Sequence, residues 1–267
     1  MLHFANANGY PPAAYTPLFA GLTPHYHVVA LRSLPLTPGA DPASLRHWDQ
    51  LADELSAYLE QAGARGWVGV GHSLGAVVSV LVALRRPEFF RCLVAIEPVF
   101  FSPLKIMSFD VMRALGLAER MHPLVPGARR RRRNFASADE MFARYRNAPV
   151  FRRLDDRALR AYVEALAVPR PDGQPGVTLS FTPDWEAQVY ATGPYNLWGK
   201  IGKLKVPLLV IRGDESDTFD LGAVEALHAR LPAARLVHMP HTGHLVPLEQ
   251  PQAVANLIVE FAGHDNH

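Results

Sequence analysis

Ser73 sits in the run Gly71-His72-Ser73-Leu74-Gly75, where the apolar stretch "WVGV" gives way to the apolar, helix-patterned "LGAVVSVLVALR". A serine at such a strand-to-helix turn is lifted clear of both elements. The residues two before and two after it must lack bulk so that strand and helix can close on one another. The chemistry open to it is nucleophilic attack, with the N–H of Leu74, at the start of the helix, aimed where an oxyanion would develop. A hydroxyl is a weak nucleophile at neutral pH and needs a positioned base, most often histidine. Among twelve histidines, His244 lies in "HMPHTGHLVPLEQP", after the last apolar strand and before the last helix, at the same sheet edge as Ser73. His241 is its nearest rival.

The imidazole needs a carboxylate to fix its tautomer and stabilise the imidazolium. "LLVIRGDESDTF" offers Asp214, Glu215 and Asp217 just past the preceding strand. Asp217 is preferred, because the loop must travel a few residues beyond the strand end to reach the histidine. Glu97, ending the strand after the nucleophile helix, is a further option, read more simply as a carboxylate hydrogen-bonded near the turn.

These residues require a sheet whose strand ends converge. Short β-branched runs occur at 2–5, 27–31, 67–71, 92–97, 208–213 and 235–239, with helical patterns at 45–62, 74–86, 221–231 and 251–262. That alternation predicts an α/β fold, a mostly parallel sheet with helices on both faces. From 100 to 202 no strong strand signal appears. There are helix-like patterns ("SADEMFARYRNA", "DDRALRAYVEAL"), proline-rich joints and a short extended piece at "VTLSF". Such a length is too long for a connecting loop and predicts an inserted helical lid over a body formed by 1–99 and 203–267.

With 267 residues, 49 % of them hydrophobic, the chain can bury one substantial core, and a net charge of +2 gives no global field for nucleic acid or membrane. The single cysteine, Cys92, excludes an intrachain disulfide and thiolate metal sites. No phosphate loop, dinucleotide fingerprint or metal-ligand spacing is present, so no cofactor is implied. The absence of a signal-like N-terminus or a long apolar span predicts a cytoplasmic protein. The five arginines from Arg129 to Arg133 read as a solvated face of the lid. His72, Phe100, Trp185 and Tyr190 are candidates for lining a substrate pocket.

"GHSLG", "VPLLVIRGDESDTF" and "MPHTGHLVPLEQPQAVANLIVEF", in that order, resemble the nucleophile turn, acid loop and histidine loop of serine-type α/β-hydrolases. The resemblance implies a hydrolase cleaving a small carboxylic ester through an acyl-enzyme, with Ser73 as nucleophile, His244 as base and Asp217 as acid. A thioesterase, lactonase, carbon–carbon bond hydrolase or perhydrolase would use the same triad, and a silent binding protein is the rival of another class. The family usually carries His-Gly at its oxyanion loop, where this chain reads "FANANGYPP". An N–H from Ala7 or Asn8 is then the second oxyanion donor, and the side chain of Asn6 is a further option. The two strands that usually precede this point are absent, which would leave "HVVAL" at the sheet edge, masked by another segment or by a second subunit in a homodimer.

Overall fold

The computed structural model describes residues 1–117 and 122–264. Its centre is a sheet of six parallel strands, β1 (Leu2–Ala5), β2 (Val28–Val29), β3 (Trp67–His72), β4 (Phe90–Ile96), β7 (Leu208–Gly213) and β8 (Arg235–Met239), in the order β2-β1-β3-β4-β7-β8. Strands β3 and β7 are buried at every residue, as expected of strands covered on both faces. Cys92 is a buried core residue of β4.

Helices cover both faces. α2 (Asp49–Gln61) buries Leu51, Leu55 and Leu59, one stripe at four-residue spacing, and packs against α3 (Leu74–Arg85). α1 (Thr16–Leu22) packs against the C-terminal helix at Pro251–His264. No described helix is long and apolar enough to cross a membrane.

Between β4 and β7 the chain forms α4 (Pro103–Ala114), α5 (Val125–Arg129), α6 (Ala138–Arg146), α7 (Asp156–Leu166) and α8 (Pro183–Thr192). A two-stranded antiparallel hairpin pairs β5 (Ala167–Pro169) with β6 (Val177–Leu179), so the extended piece read at "VTLSF" has a partner. Side-chain caps set three helix starts: Ser137 accepts from the Glu140 N–H, Asp155 from that of Ala158, and Thr182 from that of Trp185. Tyr162 of α7 stacks on Tyr10 of the body, with ring centroids 4.7 Å apart.

Two departures from the sequence reading have physical causes. Helices α1, α4 and α8, which the sequence patterns do not mark, each carry proline at the first or second position, where a missing N–H costs nothing. The edge run "HVVAL" pairs only at Val28–Val29, leaving a short edge.

Candidate active site

Ser73 has φ 56° and ψ −116°, a left-handed conformation that a residue with a Cβ rarely adopts. Its N–H donates to the Ile96 carbonyl at 2.9 Å, which ties the turn to the neighbouring strand. The flanking glycines are required by space: a Cβ on Gly71 would stand 2.5 Å from the Ala76 nitrogen, and one on Gly75 would stand 2.1 Å from the Ala5 carbonyl oxygen. The turn and the loop after β1 are thus in backbone contact.

His244 Nε2 lies 2.9 Å from Ser73 Oγ. Its Nδ1 lies 3.3 Å from Glu97 Oε2 and 3.1 Å from Thr218 Oγ1. A carboxylate oxygen only accepts, so Nδ1 carries the proton and Nε2 is the acceptor facing the serine. Glu97 is fully buried and is itself held at φ 44°. The Gly213 N–H donates to its Oε1 at 2.6 Å and the Ser216 hydroxyl to its Oε2 at 2.6 Å, with Thr218 donating at 3.3 Å. A desolvated carboxylate is tolerable only when its lone pairs are filled in this way.

The carboxylate facing His244 is therefore Glu97, in place of the preferred Asp217. Beyond β7 the chain alternates, turning the Ser216 and Thr218 side chains inward to Glu97 and leaving Asp217 exposed. Asp214 and Glu215 are exposed too, and Glu215 pairs with Arg152 and Arg153. His241 is exposed and its ring makes no hydrogen bond to Ser73.

The two oxyanion candidates on the first loop separate. The Ala7 N–H donates to the Tyr15 hydroxyl oxygen at 3.2 Å, whereas the backbone N–H groups of Asn8 and Leu74 make no hydrogen bond among the described residues. The Asn6 side chain is turned to the Ala7 carbonyl. Tyr15 in turn lies 2.8 Å from His72 Nδ1, and His72 Nε2 lies 2.8 Å from the His244 carbonyl. Since a carbonyl accepts, His72 donates from Nε2 and accepts the Tyr15 proton at Nδ1. Burial holds the His72 imidazole well below its ordinary pKa, which keeps it in this neutral form.

A cavity of about 230 Å³ opens over Ser73, His244, Asn8 and Leu74, walled by Trp48, Phe101, His122, Val189 and Tyr190. Of the four pocket candidates, Tyr190 lines it. His72 is occupied beneath the histidine loop, Phe100 packs edge-on against Trp198 and Phe219, and Trp185 is a buried residue of α8. The apolar, buried character of Phe100 and Trp185 is core packing, which sequence does not distinguish from a pocket wall. His122, stacked on Tyr190 at 5.7 Å, carries no sequence signal for this place.

A profile described as the alpha/beta hydrolase family matches residues 3–257. The chain belongs to this family. Among curated proteins, this α/β-hydrolase is 24 % identical over 221 residues to the uncharacterized hydrolase YugF of Bacillus subtilis, covering 80 % of this chain and 71 % of that protein. Among solved structures it is similar to E-2-(acetamidomethylene)succinate hydrolase, with TM-score 0.79, 21 % identity, and 98 % of this chain and 91 % of that chain covered. It is also similar to an esterase of M. tuberculosis, with TM-score 0.73, 20 % identity and coverages of 98 % and 84 %. These likenesses place the α/β-hydrolase fold, with its mostly parallel sheet and helices, on the whole described chain.

Proposed function

We propose that this hydrolase cleaves a small carboxylic ester through an acyl-enzyme, with Ser73 as nucleophile, His244 as general base and acid, and Glu97 as the carboxylate that orients His244. The observation that carries the reading is the 2.9 Å approach of His244 Nε2 to Ser73 Oγ, with the other ring nitrogen facing a buried carboxylate. Ser73 Oγ bonds to the ester carbonyl carbon as its proton passes to Nε2, and the carbonyl π electrons move onto oxygen. The N–H groups of Leu74 and Asn8 receive that oxyanion. Collapse expels the alcohol oxygen, which takes the proton from Nε2. Water then repeats the sequence on the acyl-serine and releases the acid. Segment 100–202 acts as the lid, since His122, Val189 and Tyr190 wall the cavity from that side.

Among the neighbours, the M. tuberculosis esterase carries this reaction class in its name. The cavity of about 230 Å³ falls below the roughly 300–1,000 Å³ of drug-sized ligand sites, which favours short acyl groups. The test is hydrolysis of p-nitrophenyl esters from acetate to laurate beside Ser73→Ala, with fluorophosphonate labelling of Ser73. Activity that falls with chain length and vanishes in the variant is expected. A folded protein whose Ser73 resists the probe would be a silent binder.

A further inference from the structure

The arginine run is not one solvated face. Arg132 pairs with Glu140 at 2.7 Å and Arg133 with Asp184 at 2.6 Å, both at the surface, while Arg131 turns inward to Glu186 and donates to the Tyr145 hydroxyl at 2.9 Å. Arg131 lies against the oxyanion loop: a Cβ on Gly9 would stand 3.8 Å from its Nη1. The Asn8 side chain donates to the Glu186 carbonyl at 3.1 Å and completes the junction.

Arg131 borders a second cavity of about 530 Å³, lined also by Arg130, Arg132 and Arg144, by the rings of Tyr145 and Phe151, and by one carboxylate, Glu186. Tyr10, Val150 and Tyr190 line both this cavity and the one over Ser73, so the two spaces adjoin at these side chains. With Arg131 paired to Glu186 and Arg132 to Glu140, Arg130 and Arg144 leave an excess of positive charge at this cavity. The Arg130 side chain makes no hydrogen bond or ion pair among the described residues. A planar fork of donors with an unfilled partner suits a carboxylate or a phosphate.

We infer that the second cavity is a subsite for an anionic arm of the substrate, carboxylate or phosphate, whose reacting carbonyl sits at Ser73. The inference rests on Ser73 being the nucleophile. It assigns the arginine run a share in substrate choice: Arg130 and Arg144 hold the charge at the mouth, and Arg131 holds the wall next to the oxyanion loop.

The test uses fluorophosphonates with alkyl arms of graded length that end in a carboxylate, a phosphate or the neutral methyl ester, and reads the second-order rate of Ser73 labelling. For one anionic series the wild type is expected to label about tenfold faster than with the neutral arm, the size of one charge-assisted hydrogen bond. Which series gains identifies the anion. Arg130→Gln with Arg144→Gln should bring that ratio toward one, and Arg46→Gln, an exposed arginine that lines neither cavity, should keep it. Equal rates for anionic and neutral arms in the wild type, or a ratio that survives the double substitution, overturn the subsite and leave the Ser73 reading standing. No labelling by any probe overturns the Ser73 reading, and the subsite with it.

Discussion

Replacing Glu97 by glutamine is the perturbation that separates Glu97 from Asp217 as the partner of His244. The Gly213 N–H, 2.6 Å from Oε1, requires an acceptor there, so the amide oxygen takes that place and the NH₂ replaces Oε2. The NH₂ then donates toward His244 Nδ1, which must become an acceptor and so moves the ring proton to Nε2, facing Ser73. That tautomer cannot take the serine proton. The variant also loses the attraction between carboxylate and imidazolium. At the observed 3.3 Å this is about 5 kcal/mol for an effective dielectric of about 20. At about 1.36 kcal/mol per tenfold, kcat should fall by roughly 10³ to 10⁴. Thr218 Oγ1, 3.1 Å from Nδ1, can still accept the ring proton and places the result toward the smaller figure. Asp217→Asn, at an exposed side chain, should change kcat by less than about threefold, since solvent screens its charge. The assay is steady-state ester hydrolysis, with circular dichroism to show that each variant is folded. A loss above a hundredfold in Asp217→Asn with near-normal Glu97→Gln would refute the assignment of the acid.

Three further outcomes are expected. Gly75→Ala drives a methyl against the Ala5 carbonyl at 2.1 Å, where main chain meets main chain and neither side can retreat; overpacking of about 1–3 kcal/mol or more should lower the melting temperature and the activity together. Tyr15→Phe leaves the Ala7 N–H and His72 Nδ1 buried without their partner, each at a cost of about 1–3 kcal/mol, so the melting temperature should drop, and kcat with it as the His244 loop loosens. Stability should also fall in acid: burial pushes His3 down to about 3, whereas in the unfolded chain it protonates near 6.5. Between those values the unfolded chain holds more protons, so the contribution is complete above about pH 6.5 and declines by up to about 1.4 kcal/mol per pH unit as pH falls toward 3. Denaturant melts at stepped pH should show this slope, and His3→Phe should flatten it.

The approach of His244 to Ser73 and most of the sheet were legible because each rests on a local rule. Gly71 and Gly75 flank Ser73 for want of space, and His244 follows a strand that runs unbroken from Arg235 to Met239. The carboxylate that faces His244 was not, because it depends on which strands are neighbours. Glu97 meets Ser216 and Thr218 because β4 and β7 lie side by side, and His244 arrives on the loop after β8, the next strand across the sheet. The hydroxyls of Ser216 and Thr218, two residues apart and flanking Asp217, are the sequence trace of that arrangement: they are donors for a carboxylate arriving from elsewhere. The arginine run was read as one face, although Arg131 and its neighbours point to different partners, because a run of one residue type hides the direction each side chain takes.

The backbone contact between Gly75 and Ala5 divides the molecule by replaceability. Everything that meets the reacting atoms from below, the turn, the loop at Asn8 and the strand ends, is joined main chain to main chain. The insertion reaches it through a few contacts near Asn8, among them Asn8 on the Glu186 carbonyl and Tyr162 stacked on Tyr10. The walls above, from His122 to Tyr190, hang on a separate excursion of the chain. A library randomised in that upper half explores new substrates on an unaltered chassis, and one randomised in the lower half mostly produces unfolded protein.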